Sequence, residues 1–151
     1  MDNFQIFSDR FNQNNAIVPV LQSDIDKLEN EFKIKFPDDY IGFMIRFGNV
    51  RTPDILNIIL ANDLDLDDIQ QFWTINQIIE DKCIGRSSKP KTGLIPFASD
   101  CLGNIFGFLA ADLQKGIQQC PVYFYDHDFD TMDKLVLSFS ALIDQYVNIK
   151  I

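Results

Sequence analysis

His127, the only histidine in the sequence, is the first residue to test for catalysis. Imidazole titrates near neutral pH, and a histidine beside a thiol or hydroxyl is a common general base in nucleophilic catalysis. Asp126 and Asp128 flank His127 and favour its protonated form, which cannot accept a further proton. A nucleophilic pairing of Cys101 or Cys120 with His127 stays open, although buried structural cysteines are far commoner. The sequence therefore favours a protein that is not an enzyme.

The metal-binding patterns in the sequence are incomplete. Asp126, Asp128 and Asp130 alternate as at the start of an EF-hand loop. Thr131 stands where that loop needs glycine, however, and Leu137 where it needs glutamate. Three widely spaced cysteines lack the paired spacing of a structural zinc site, and no glycine has the spacing of a phosphate-binding loop. We expect no metal and no cofactor.

Acidic residues are the main chemical feature of the chain. The 22 Asp and Glu against 13 Lys and Arg give a net charge of −9, which disfavours nucleic acids and anionic membranes as partners. Nineteen of these 22 acids are aspartates. They concentrate in two predicted turn regions, which contain Asp63, Asp65, Asp67 and Asp68 in one case and Asp126, Asp128, Asp130 and Asp133 in the other.

Two interpretations of these clusters stay open. Aspartate is favoured in turns because its carboxylate binds nearby backbone amides, and a net negative surface aids solubility. Alternatively, the clusters together with Asp100 form a surface for a basic protein partner. Such carboxylates would speed the encounter and pair with arginine side chains.

These residues must be positioned by a chain of 151 residues, of which 46% are apolar and 13% aromatic. This size and composition suit one domain with a single hydrophobic core. No apolar run is long enough to span a membrane, and the N-terminal MDNFQIFSDRF lacks the features of a signal peptide. Three cysteines do not suit a secreted disulfide framework. We expect a cytoplasmic protein.

Two amphipathic helices are predicted after a polar N-terminal stretch. The first spans 21–36 with Ser23 as its cap and Glu29 on its polar face, and its apolar face consists of Ile25, Leu28 and Phe32. Pro37 begins the second helix, which ends at Gly48, and its apolar face consists of Tyr40, Phe43, Met44 and Phe47.

The remaining elements predict a sheet and a closing helix. Residues 55–61 are apolar and β-branched, which favours a buried strand, whereas 74–82 favours a helix and 85–93 an exposed loop. Three strands follow with connections too short for helical crossovers, so they form an antiparallel meander over 94–98, 104–111 and 121–125. The last helix spans 138–147. The predicted fold class is α+β, with an antiparallel central sheet covered on one side by N-terminal and C-terminal helices.

Two stretches together resemble the SUKH superfamily (the Smi/Knr-like family): LENEFKIKFPDDYIGFMIRFGN, and IPFASDCLGNIFGFLAAD followed by PVYFYDHD. The resemblance covers about residue 21 to the C-terminus. It departs from the usual pattern at Cys101-Leu102, where relatives often have glycine or a small polar residue, and at Tyr125, where many have tryptophan. The resemblance implies a structural role for its most specific residues, which are Pro37, Tyr40, Pro96, Phe97, Gly103 and Tyr125.

This superfamily includes bacterial immunity proteins and fungal regulators of cell-wall glucan synthesis, so the resemblance implies a binding protein. We expect an immunity protein that neutralises a cognate toxin domain, such as a basic nuclease, by stoichiometric binding. The alternative is a regulatory adaptor of the glucan-synthesis type. Such adaptors often have flexible low-complexity extensions, and this sequence has almost none.

Overall fold

The computed structural model describes residues 2–14, 17–84 and 93–150. In chain order its elements are α1 (Asn3–Phe11), α2 (Gln22–Phe32), α3 (Asp38–Phe47), α4 (Asp54–Asn62), β1 (Gln71–Phe72), α5 (Ile75–Ile84), β2 (Leu94–Ser99), β3 (Ile105–Leu109), α6 (Ala110–Gln114), β4 (Val122–Asp126), β5 (Thr131–Val136) and α7 (Phe139–Val147). Within these residues, no helix is long and apolar enough to cross a membrane. The loop predicted over 85–93 lies almost entirely outside the described residues.

The five strands form one antiparallel sheet in the order β1-β2-β3-β4-β5. The predicted meander is confirmed for β2, β3 and β4, with Ile95 opposite Phe108 and Phe106 opposite Phe124. Gly107 in β3 allows a close approach of β2, because a Cβ atom there would lie 2.5 Å from the carbonyl oxygen of Ile95. The α+β class is therefore confirmed.

The main hydrophobic core lies between one face of the sheet and the helices. Aromatic side chains of α3 and α7 meet the inward face of β2 and β3, and those of α1 pack against α3, α7 and β1 in the same cluster. This cluster includes Phe7, Phe43, Phe97, Phe108 and Phe139, all of them buried. A smaller cluster of Leu94, Ile105 and Tyr125 packs on the opposite face.

The first predicted amphipathic helix is confirmed as α2, with three corrections. Its N-cap is Leu21, so Ser23 lies within the first turn and does not cap the helix. The helix ends four residues earlier than predicted, because Lys33 adopts a left-handed conformation with φ 54°. Glu29 is buried, and its carboxylate accepts a hydrogen bond from the Phe36 backbone N–H at 2.7 Å. This bond fixes the connection between α2 and α3.

The second predicted helix is confirmed as α3, and all four residues of its predicted apolar face are buried. Pro37 is the residue before the helix, and Gly48 ends it with φ 67°. A side chain at Gly48 would collide with the backbone of Val18, which forms a β-bridge with this residue. Only glycine fits this position because both its conformation and its surroundings exclude a Cβ atom.

The strand predicted over 55–61 is wrong, because these residues lie in helix α4. Only Ile55 and Ile59, one helical turn apart, are buried on this helix, while Leu60 is 70% exposed. Pro53 and Asp54 precede this pattern and supply a helix start. Burial on one helical stripe therefore prevails over the β-branched composition.

Several other elements differ from the prediction. The helices α1 and α6 and the strands β1 and β5 were not predicted, and the strand predicted over 104–111 ends at Leu109, where α6 begins. The predicted helix over 74–82 is α5, and Thr74 caps it, because its hydroxyl accepts the Gln77 N–H at 3.1 Å. The closing helix is confirmed, with Ser138 as its N-cap.

Candidate functional site

Three loops meet at one end of the sheet and contain the predicted site aspartates, except Asp133, which lies in β5. They are the α4–β1 loop (63–70), the β2–β3 turn (100–104) and the β4–β5 turn (126–130). Alternate turns of an antiparallel meander lie at the same end of the sheet. The first loop joins them because it leads into β1, where Gln71 pairs with Ser99 at the end of β2. We call these three segments the acidic end.

The β2–β3 turn is built around Asp100. One oxygen of its carboxylate accepts the backbone N–H groups of Leu102 and Asn104 at 2.9 and 2.8 Å, and the other accepts the Asn104 side-chain amide at 2.9 Å. Gly103 adopts φ 83°, as expected of a turn glycine. The carboxylate of Asp100 therefore holds the turn together, in agreement with the structural interpretation of the acids.

The β4–β5 turn has a similar construction. Asp126, which is half-buried, accepts the backbone N–H groups of Asp128 and Phe129 at 2.9 and 3.2 Å. Asp130 adopts φ 51°, and its carboxylate accepts a hydrogen bond from the Tyr125 hydroxyl at 2.6 Å. That hydrogen bond is the main reason that the pKa of Tyr125 is raised to about 12. Two of the predicted binding aspartates are therefore part of the turn itself.

His127 joins the two turns. Its backbone N–H donates to the Asn104 side-chain oxygen at 3.1 Å, and its ring Nε2 lies 2.8 Å from the Leu102 carbonyl oxygen. A carbonyl only accepts hydrogen bonds, so this contact places the proton on Nε2. The ring Nδ1 faces Asp128 at 3.3 Å. The imidazole thus links the two turns through its Nε2–H.

The α4–β1 loop brings the two predicted acidic clusters together. The backbone N–H of Cys101 donates to the Asp68 carboxylate at 3.3 Å, which connects this loop to the β2–β3 turn. Partial burial of the Asp67 carboxyl group raises its pKa, and so do the negative charges of nearby residues, which are Asp100, Asp68, Asp65 and Asp133. Asp133 belongs to the other cluster, so the structure unites groups that lie far apart in the sequence.

Among the described residues, no Lys or Arg forms a salt bridge with four of the aspartates of the acidic end. In the part of the chain that the structure describes, Lys and Arg form salt bridges only with Glu29 and Asp2. None of these bridges involves Asp63, Asp65, Asp67 or Asp128, four exposed aspartates of the acidic end. Asp63 is the C-cap of α4 and adopts a left-handed conformation. These carboxylates face solvent and remain available to a basic partner.

Sequence reasoning missed two apolar residues at the same end. Leu102 is 67% exposed on the β2–β3 turn, and Phe129 is 78% exposed on the β4–β5 turn. The available signal was a large apolar side chain within a run of turn-forming residues, where no neighbouring pattern requires it for the core. The acidic end therefore combines negative charge with exposed apolar side chains.

Most of the family-motif residues lie in the fold rather than at an exposed surface. Tyr40 and Phe97 are buried in the main core with ring centroids 5.5 Å apart. Pro96 is buried in β2 opposite Gly107, and Tyr125 is buried on the other face of the sheet. These four residues are buried, so the family motif contains residues that stabilise the fold.

The thiols of Cys101 and Cys120 both have raised pKa values. Burial, followed by the charges of Asp68 and Asp100, raises the pKa of the Cys101 thiol. Burial also raises the pKa of Cys120 to about 12. Both shifts disfavour the thiolate that nucleophilic catalysis needs. Among the described residues, no group of three or more His, Cys, Asp and Glu side chains has the geometry to hold a metal ion.

Comparison with known proteins gives one positive result. No curated protein matches the chain. The model of the SMI1 / KNR4 family (SUKH-1) matches residues 19–145 of the 151. This match includes α2 to α5, the whole sheet and most of α7. The chain therefore belongs to the SMI1 / KNR4 family (SUKH-1).

Proposed function

We propose that this chain is a non-enzymatic immunity protein that binds a basic toxin domain one-to-one and blocks its active site or its substrate surface. Membership of the SUKH group supports a role in protein–protein interaction. The observation that carries the proposal is the convergence of three acidic loops at one end of the sheet. A stoichiometric inhibitor needs such a surface and needs no catalytic group.

Electrostatics favours a basic partner over other classes of protein. Nuclease domains attract nucleic acid with positively charged clefts, and an acidic protein is attracted by the same field. Burial is the main cause of the raised pKa of Asp67, and the negative charges of Asp100, Asp68, Asp65 and Asp133 raise it further, so these carboxylates repel one another in the free protein. A cationic surface would relieve this repulsion on binding, so part of the binding free energy would come from groups that are unfavourably placed in the free chain.

The proposal predicts that a gene beside the gene for this chain encodes a toxin domain, and that domain is the partner used in the test. Its activity should fall linearly as the chain is added and reach zero at one equivalent. The charge variant is Asp65→Asn, Asp67→Asn, Asp128→Asn, because these exposed side chains accept no hydrogen bond from a backbone N–H among the described residues. It should bind more slowly than the wild type at low ionic strength and show a weaker dependence on salt.

A matched control removes the same charge elsewhere. The control residues are exposed on α2 and are Asp24, Asp26 and Glu31. The chain just after α2 lies at the opposite end of the sheet from the acidic end, because the backbone N–H of Lys35 donates a hydrogen bond to the carbonyl oxygen of Leu113 in α6. The triple amide variant of the control residues should retain nearly all of the association rate. Equal slowing in both variants would show that only net charge matters, and no inhibition at one equivalent would contradict the proposal.

The alternative is a regulatory adaptor of the glucan-synthesis type. Such a role requires weaker and reversible contacts, and it does not require loss of the partner's activity. The absence of a toxin gene beside the gene for this chain, together with micromolar binding to a component of cell-wall synthesis, would favour this alternative.

A further inference from the structure

The two exposed apolar side chains of the acidic end have no role in the hydrophobic core. Phe129 and Leu102 are among the most exposed large apolar residues of the described chain, at 78% and 67%. Both belong to the two turns that contain the acids. An exposed aromatic ring on a turn exposes apolar surface to water without stabilising the fold.

The backbone under both side chains is fixed. The N–H of Leu102 is bound by Asp100 and its carbonyl by the His127 ring, while the N–H of Phe129 is bound by Asp126. Side chains on a fixed backbone lose less conformational freedom on binding, which increases the affinity that they can provide.

We propose that Phe129 and Leu102 are the apolar anchors of the complex and insert into an apolar cleft with a basic rim on the toxin domain. This inference rests on the proposed function for the identity of the partner. The acids beside the anchors select that rim, since carboxylates around an inserted ring require cations opposite them. A second copy of this chain is the less favourable occupant, because its acidic end has the same sign of charge.

The two kinds of residue should affect different rate constants. Charged residues at the periphery of an interface mainly change the association rate, whereas buried anchors mainly change the dissociation rate. Asp65, Asp67 and Asp128 would guide the encounter, and the anchors would hold the complex together. His127 is then a positioning residue that keeps the two anchors in one arrangement.

The test measures binding kinetics of Phe129→Ala and Leu102→Ala with the neighbouring toxin domain at low and physiological ionic strength. Phe129→Ala should accelerate dissociation about tenfold or more, and Leu102→Ala less strongly. Association rates and their dependence on salt should match the wild type. Leu137→Ala is the control, because Leu137 is 60% exposed and lies at the other end of β5. It should leave both rate constants unchanged.

The outcomes separate this inference from the proposed function. Unchanged dissociation in both anchor variants, with normal binding by the wild type, would overturn the anchors and leave the immunity role intact. If the wild type shows no binding in the kinetic measurement and no inhibition of the toxin domain, both the anchor proposal and the immunity role are overturned. Thermal unfolding should be the same in all three variants, because the replaced side chains are exposed.

Discussion

Phe43→Ala tests the core that supports the acidic end. Phe43 is fully buried in α3, and its ring lies 5.0 to 6.2 Å between centroids from five other rings, which are Phe4, Phe7, Phe47, Phe72 and Phe139. Removing a buried phenyl ring typically costs about 3–5 kcal/mol of unfolding free energy. Because aromatic pairs add about 0.5–1.5 kcal/mol each beyond the burial of area, we expect a value near the upper end of that range.

The assay is denaturant titration of the wild type and of the Phe43→Ala variant, followed by thermal unfolding of each. For a chain of this length, about 3–5 kcal/mol corresponds to a fall in melting temperature of about 6–20 °C. Ile45→Ala is the control, because Ile45 lies on the same helix and is 36% exposed. It should cost about 1 kcal/mol or less. A loss below about 1 kcal/mol for Phe43→Ala would refute the assignment of the buried face of α3.

Three further substitutions test other features of the structure. Glu29→Ala should cost about 1–3 kcal/mol in a denaturant titration because it leaves the buried Phe36 N–H without a partner, whereas Glu31→Ala on the exposed face should be nearly neutral. Tyr40→Phe should be neutral or stabilising, since the buried Tyr40 hydroxyl has no hydrogen-bond partner among the described residues, and a clear loss of stability would contradict this. Because the pKa of Asp67 is raised in the folded protein, its ionisation destabilises the folded state as the pH rises above 3.8, the pKa of the unfolded chain. Asp67→Asn should therefore increase stability at pH 7 and have little effect at pH 3. Equal effects at both pH values would contradict this.

The sequence predicted the parts of the fold that local periodicity determines. The helix α3 could be predicted because Tyr40, Phe43 and Phe47 repeat at helical spacing and Gly48 supplies a stop. The same reasoning could have identified α1, where Phe4, Phe7 and Phe11 follow a helical spacing within a mostly polar segment. Local patterns of this kind need no knowledge of distant contacts.

Elements whose burial depends on distant residues were harder to predict. The helix α4 has an apolar composition that suits a strand equally well, and only packing against the rest of the fold decides which residues are buried. The edge strand β5 has mixed polar and apolar residues because one of its edges has no partner strand among the described residues. Alternation is weak in such a strand, so its sequence resembles a loop.

The sequence identified the acidic residues of the candidate site but did not show how they come together in space. The aspartates were identified from the sequence, but Asp67 and Asp133 lie 66 positions apart, and only the sheet brings them within electrostatic reach. The structural roles of Asp100 and Asp126 in their turns support the interpretation that turns favour aspartate. The exposed aspartates of the same clusters are the ones on which the proposed binding surface rests.

Hydrogen–deuterium exchange of the chain, alone and with the proposed toxin partner, tests the central claim most directly. Amides of the acidic end, in 63–70, 100–104 and 126–130, should exchange more slowly in the complex, while those of α2 should exchange as in the free protein. Protection confined to α2 and α5, with the acidic end exchanging at its free rate, would contradict the account.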